Sequence, residues 1–220
     1  TRHYLNGIFL HITKGEKKTF LTGVSTDSHR LSSSSIDITD AENFSSLIIP
    51  RKTVYLLTTL LESSNNKVLL KTSDSKIQFK IDNIVLSSKV IDGKFPDYKK
   101  VVPVDNNIVL ETSRKEFISS IERVISVSLD KKEGVKLALT KDKIKLSVNS
   151  TNSGEGNEVI DAKYKGNDLT ISFNSRYLID IANEVEDKDL KFNFKDPVSP
   201  VLIEDKSDKN SYYVIMPMKI

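Results

Sequence analysis

The sequence predicts an α+β protein of two related units, each packing helices against antiparallel sheets. Three observations carry that reading: an internal repeat, strand-turn-strand patterns that pair locally, and short amphipathic helices opened by caps. The 220 residues suffice for one large domain or two ordinary ones. A composition of 38% hydrophobic and 29% charged residues describes a globular chain rather than a disordered one.

The repeat emerges when the chain is slid against itself by about 124 residues. Val24-Ser25-Thr26 then lies over Val148-Asn149-Ser150, and Ile36-Asp37 over Ile160-Asp161. Ile49-Pro50-Arg51-Lys52-Thr53-Val54 falls on Phe173-Asn174-Ser175-Arg176-Tyr177-Leu178, and Ile77-Gln78-Phe79 on Val201-Leu202-Ile203. Near the end the offset drifts to about 128, with Val85-Leu86 over Tyr213-Val214, as loop insertions would produce.

Each unit reads strand, strand, helix, strand, strand. Residues 1–5 open the chain as if already inside a strand. Gly7–Ile12 and Thr19–Ser25 form a hairpin around the polar 13–17 turn. Pro50 suits the first turn of a helix whose apolar face is Val54, Leu57, Leu60 and Leu61. Lys67–Thr72 and Lys76–Ile81 make a second hairpin around Ser73-Asp74-Ser75. The later unit repeats the scheme, with a helix over about 175–185 capped by Asn174.

Residues 1–98 form the first unit, 99–106 a linker and 107–220 the second unit. Gly93, Pro96 and Pro103 punctuate the junction, while Phe95 and Tyr98 call for something to pack on. The second unit has an extra opening: a strand at Ile108–Glu111 and a helix starting within Thr112–Glu116. Ser113 with Glu116 makes its capping box, and Phe117, Ile121, Val124 and Ile125 its apolar face. Gly134 is the counterpart of Gly7. About 27 residues of the second unit precede Gly134, against six before Gly7, so the first unit is expected to lack one strand and one helix. On that reading the chain is a fragment.

Catalytic patterns are absent. Ser25, Asp27, Ser28 and His29 are too close along one strand and turn to face one another as nucleophile, base and orienter. His3, His11 and His29 show no metal-ligand spacing, and Gly154-Glu155-Gly156 lacks the rest of a nucleotide fingerprint. Zero cysteines excludes disulfides and thiolate chemistry and is compatible with a reducing cytoplasm. The 33 basic against 30 acidic residues give a charge of +3, too small to establish a nucleic-acid partner. Arg51, Lys52, Arg114, Lys115, Arg123 and Arg176 nonetheless sit on predicted helices. They read either as ordinary solvated positions or as a shallow positive surface that follows phosphates. The last eight residues are apolar except Lys219 and hold both methionines, Met216 and Met218. Such an end either closes a core or meets a partner.

Tyr4-Leu5-Asn6-Gly7, Thr26-Asp27-Ser28-His29-Arg30-Leu31, Ile49-Pro50-Arg51-Lys52, Asp92 to Tyr98 and Tyr213 to Met218 occur in an order that resembles one family, the bacterial DNA sliding clamp, or beta subunit of DNA polymerase III. The resemblance covers the whole chain, as most of the middle and all of the last of the family's three repeats. It implies the DNA clamp fold and a noncatalytic processivity factor: a homodimeric ring, closed head to tail around duplex DNA, that needs no cofactor or metal. Partners would be double-stranded DNA, the replicative polymerase, the clamp loader and repair enzymes, in the cytoplasm. Missing the first repeat, this chain is expected not to close a ring.

By the same resemblance, Leu5, Thr26, His29, Arg30, Leu31, Pro96, Lys100, Val101, Asn174, Tyr177, Pro200, Val214, Met216, Pro217 and Met218 line a groove for short linear peptides. Arg2, His3 and Tyr4 join the basic helix residues as DNA-facing positions. Ser28 departs from the glycine common in the family, Lys100 from arginine and Pro200 from a small polar residue. A net charge of +3 is also unusual for such clamps. The contrasting reading is a repeat-built protein-interaction scaffold without DNA binding.

Overall fold

In the first repeat β1 (Gly7–Lys14), β2 (Thr19–Thr26), β3 (Arg30–Ile38) and β4 (Leu47–Pro50) run into α1 (Arg51–Glu62). Three strands follow, β5 (Leu69–Thr72), β6 (Lys76–Ile81) and β7 (Ile84–Lys89). The second repeat adds β8 (Ile108–Ser113) and α2 (Arg114–Ile125) before β9 (Gly134–Thr140), β10 (Lys143–Ser150) and β11 (Gly154–Asp161). It continues with β12 (Lys163–Tyr164), β13 (Leu169–Asn174), α3 (Ser175–Glu184), β14 (Asp189–Phe194), β15 (Val201–Glu204) and β16 (Ser211–Ile215). The computed structural model describes residues 2–16, 18–39, 44–64, 66–128, 134–150 and 154–219. Lys17 of the predicted first turn, together with Thr1 and Ile220, lies outside the described residues.

The repeat is visible in the strand orders. The first four strands lie as β3-β2-β1-β4, and their counterparts as β11-β10-β9-β13. The later strands lie as β5-β6-β7 and as β14-β15-β16, the latter extended by β8 and β12. Gly7 pairs with Pro50 and Gly134 with Asn174, so each glycine faces the residue that opens its repeat's helix. Register also corrects the drift near the end. Phe79 pairs with Leu86 and Ile203 with Tyr213, so Leu86 corresponds to Tyr213 rather than to Val214.

Two compact units result, Thr1–Asp27 with Ser32–Tyr98, and Ser28–Leu31 with Lys99–Ile220. In the first, Leu47, Ile49, Ile77 and Phe79 form a small core against Leu10, Val54 and Leu57. Phe9 stacks on Phe95 with ring centres 4.8 Å apart, and His11 Nε2 meets Tyr98 Oη at 2.9 Å. The junction aromatics are therefore packed, as their character required. In the second unit one core draws on residues of β8, α2, β9–β13, α3 and β14–β16. Phe117, Ile121 and Val124 bury one face of α2, and Gly156 in β11 lets that helix come close. A Cβ there would stand 2.4 Å from the Val124 carbonyl oxygen.

Local signals explain the helix starts. The Ser113 hydroxyl accepts from Glu116 N, and Asn174 Oδ1 accepts from Tyr177 N at 3.2 Å, each satisfying one of the free amides of a first turn. Several expectations are corrected. Residues 3–5 form a 3-10 turn, not a strand. Pro50 ends β4 and caps α1 from outside, its φ of −61° and ψ of 143° fitting an extended residue. Leu61 is exposed, and Thr53 takes the buried place on α1. Thr112 belongs to β8, so α2 starts at Arg114. Each repeat also carries more strands than the sequence pattern announced, including β3, β4 and β7.

Candidate functional site

The end of β13 and the start of α3 organise the largest group of candidate residues. Asn174 caps α3 and so fixes Tyr177 one turn into the helix. The Arg30 guanidinium lies 4.2 Å from the centre of the Tyr177 ring and donates from Nη1 to Asp180 Oδ2 at 2.7 Å. His29 stacks beside the same ring with centroids 6.3 Å apart. An aromatic face and a carboxylate thus hold one cation. Both ionic partners are partly solvated, so the arrangement fixes geometry more than it stabilises the fold.

The carboxyl-terminal chain joins this group through its backbone. Met216 N donates to His29 O at 2.8 Å, and Met218 N to Ser172 O at 2.7 Å. Backbone anchoring at alternate residues leaves both methionine side chains 38% exposed. Val214 and Leu31 are buried, and Pro217 is half-buried. The chain end thus presents two flexible, polarizable side chains on an anchored backbone. Pro200 is half-buried, its carbonyl accepting from Asn106 Nδ2 at 2.9 Å. Lys100 and Val101 are exposed at the end of the 3-10 turn Tyr98–Val101.

Ser28 has a φ of 78°, in the left-handed region where a Cβ is strained and glycine is not. Asp180 and Ser172 were not predicted. Asp180 stands three residues after Tyr177 on α3, a spacing that places both on one helix face. Ser172 contributes only a carbonyl, which leaves no trace in residue type.

The remaining groove candidates belong to the first unit. Leu5 is half-buried in the 3-10 turn His3–Leu5, Thr26 is half-buried at the end of β2, and Pro96 is exposed. Nearby in that unit, His3 Nε2 lies 3.0 Å from Asp92 O, and the His3 and Tyr4 rings meet edge to face. Arg2 is exposed, and Tyr4 half-buried.

The basic helix residues divide into two kinds. Arg51, Lys52, Lys115 and Arg176 are exposed, with Arg51 Nη2 donating to Tyr55 Oη at 2.9 Å. Arg114 instead donates to Val185 O at 2.7 Å. Arg123 binds Glu158 through two donors, and that hydrogen bonding raises the guanidinium pKa and holds the Glu158 carboxyl below its usual range. These two arginines hold α2 to its own unit. Among the described residues, no group of three or more His, Cys, Asp or Glu is placed to hold a metal. No described helix is long and apolar enough to cross a membrane.

Residues 1–97 match the family model of the DNA polymerase III beta subunit, central domain, and residues 99–219 that of its C-terminal domain. The beta sliding clamp of Caulobacter vibrioides is 37% identical over 221 residues, covering 100% of this chain and 59% of the relative. That of Escherichia coli K12 is 32% identical, with 100% and 59% coverage. Among solved structures, the C. crescentus beta sliding clamp with polyethylene glycol bound superposes with a TM-score of 0.96 at 36% identity, covering 100% of this chain and 58% of that one. A sliding clamp from Bartonella birtlesii bound to griselimycin gives 0.96 at 37% identity, with 100% and 60% coverage. The chain therefore spans under two thirds of the length of these relatives. Both of its halves match, in order, and the chain belongs to the DNA polymerase III beta subunit family, the bacterial sliding clamps.

Proposed function

We propose that this chain supplies two repeats of a noncatalytic processivity clamp. In the whole protein, two subunits form a ring around duplex DNA and tether the replicative polymerase, so that release no longer competes with each nucleotide addition. The gain is one of effective concentration rather than of bond chemistry. The observation that carries the reading is the match of both repeats to the central and C-terminal clamp domains.

Peptide docking is assigned to the surface around Met216, Pro217 and Met218, with Tyr177, Arg30, His29 and Asn174 beside it, and with Val214 and Leu31 as further lining positions implied by the family resemblance. Pro200, Lys100, Val101, Leu5, Thr26 and Pro96 are further groove positions that the family resemblance implies. What supports it is the exposure of both methionines on a backbone held by His29 and Ser172. Polymerase, clamp loader and repair enzymes would share it through short segments carrying Leu and Phe anchors. DNA would be met without base readout by Arg51, Lys52, Lys115 and Arg176, with Arg2, His3 and Tyr4; Arg114 and Arg123 serve first as internal ties.

A fluorescent peptide with a Gln-x-x-Leu-Phe anchor, titrated against the chain, tests the groove. Saturable binding is expected, and Met216→Ala should weaken it about tenfold, as removal of a contact hot spot does. Absence of saturable binding by a folded protein removes the groove assignment. For the whole protein, retention on nicked circular DNA and loss on linearisation distinguishes a ring from a scaffold.

A further inference from the structure

The outward face of β5-β6-β7 is a lysine surface. On β6, Ile77, Phe79 and Ile81 point inward and are buried, so Lys76, Gln78 and Lys80 point out. Register places Leu69 and Val85 on either side of Lys80, Lys71 and Ser87 on either side of Gln78, and Lys89 opposite Lys76. Lys71, Lys76, Lys80 and Lys89 are all exposed, and none of them forms an ion pair among the described residues. No carboxylate shares the face. Asp74 and Asp82 lie in the connecting turns, and Asp82 accepts from Ser64 and Asn66.

Two features show that this is more than an ordinary solvated surface. Like charges directly opposite one another destabilise an antiparallel pair, yet Lys76 faces Lys89. In the matching sheet of the second repeat a carboxylate does enter the ladder: Lys191 binds Glu204 at 2.7 Å. Glu204 stands where the first repeat has Lys80. At this matching point the second repeat pairs its lysine with a carboxylate, and the first repeat has a further lysine.

We propose that the outward face of β5-β6-β7 docks an acidic protein segment that also carries aliphatic side chains. Strand geometry spreads the lysine Cα atoms over roughly 13 Å along the sheet and 10 Å across it, a span suited to a short extended or helical segment. Carboxylates bridging Lys76 and Lys89 relieve their repulsion. Leu69 and Val85, 54% and 53% exposed, flank Lys80 and give apolar side chains a place to bind. A phosphate backbone has no use for those two residues, and the face offers no aromatic ring on which a base could stack.

The test is fluorescence anisotropy with a short labelled peptide alternating Glu and Leu, its Glu-Ser analogue and a short DNA duplex, titrated against the 220-residue chain. The Glu-Leu peptide should bind saturably, with affinity falling as salt rises. Lys76→Gln/Lys80→Gln should weaken it about threefold to tenfold, the scale of two exposed charge contacts. Leu69→Ser/Val85→Ser and the Ser-containing peptide should also weaken binding, whereas Met216→Ala should not, which separates this face from the proposed groove. Circular dichroism and thermal melting establish that each variant is folded. Three results overturn the proposal: no saturable binding by folded wild type; indifference to the Leu69/Val85 pair; or duplex DNA bound more tightly than the peptide with the same lysine dependence.

Discussion

Near the end of β6 stands Lys80 between Leu69 and Val85; at the matching point of β15 stands Glu204 between Lys191 and Tyr212. One residue further on, the first repeat has Ile81, buried and apolar, and the second has Asp205, buried and charged. Topology is common to the two sheets, but the means of satisfying each position is not. In the second repeat, burial raises the Asp205 pKa, while hydrogen bonds from Ser207 Oγ and from the Glu186 and Ser207 amides lower it by more, for a net depression. The core of the second repeat draws on residues of α2 and β8. Strand order therefore constrains which positions face inward, and leaves open whether they are filled by hydrocarbon or by a satisfied polar group.

The largest effect should come from the core that α2 completes. Phe117 is fully buried and packs on Phe192, whereas Val54 of α1 is only half-buried. Phe117→Ala should cost about 3–5 kcal/mol and Val54→Ala about 1 kcal/mol. Urea denaturation with hydrogen exchange resolves the two units, and equal costs would break the asymmetry drawn between the cores.

A smaller loss is expected at Asp205. Asp205→Ala should destabilise the second unit by about 1–3 kcal/mol by leaving buried donors without an acceptor. The folded pKa lies below the ordinary 3.8. The associated stabilisation is thus present above pH 3.8 and lost as pH falls through the depressed folded value. Acid unfolding of Asp205→Asn should lack that component, and an unchanged acid profile would refute the linkage.

The smallest change tests the lysine face itself. Lys89→Glu places opposite charges across from Lys76 and should stabilise the chain by about 0.2–1 kcal/mol at low salt. The gain should shrink as salt screens the pair. Destabilisation at low salt would mean that Lys76 and Lys89 do not repel as their register implies.

Much of this was legible because it depends on near neighbours. Ser113 and Asn174 announced their helices since a cap is decided within three residues. Phe95 and Tyr98 announced a packed junction because large aromatics are costly to leave in water. The hairpins followed from alternation around polar turns. Other features escaped for a physical reason. Leu61 fits the apolar period of α1, but whether it is covered depends on what lies opposite, and it stays exposed. Arg123 looked like a free surface cation until the fold brought Glu158 to it from 35 residues away.

The sequence by itself determined the repeat, the helix caps, the inward faces of its clearest strands and, through ordered motifs, the family. Tertiary structure alone decided which charges meet and which backbone groups are used. Nothing in residue type reveals that Met216 and Met218 are held by carbonyls of His29 and Ser172, or that Ser28 must turn left-handed. Nor could it show that four lysines share one face while Glu204 pairs with Lys191 on the corresponding one. Local propensity acts over a few residues, whereas charge pairing and carbonyl bonding are set by chain segments far apart in sequence.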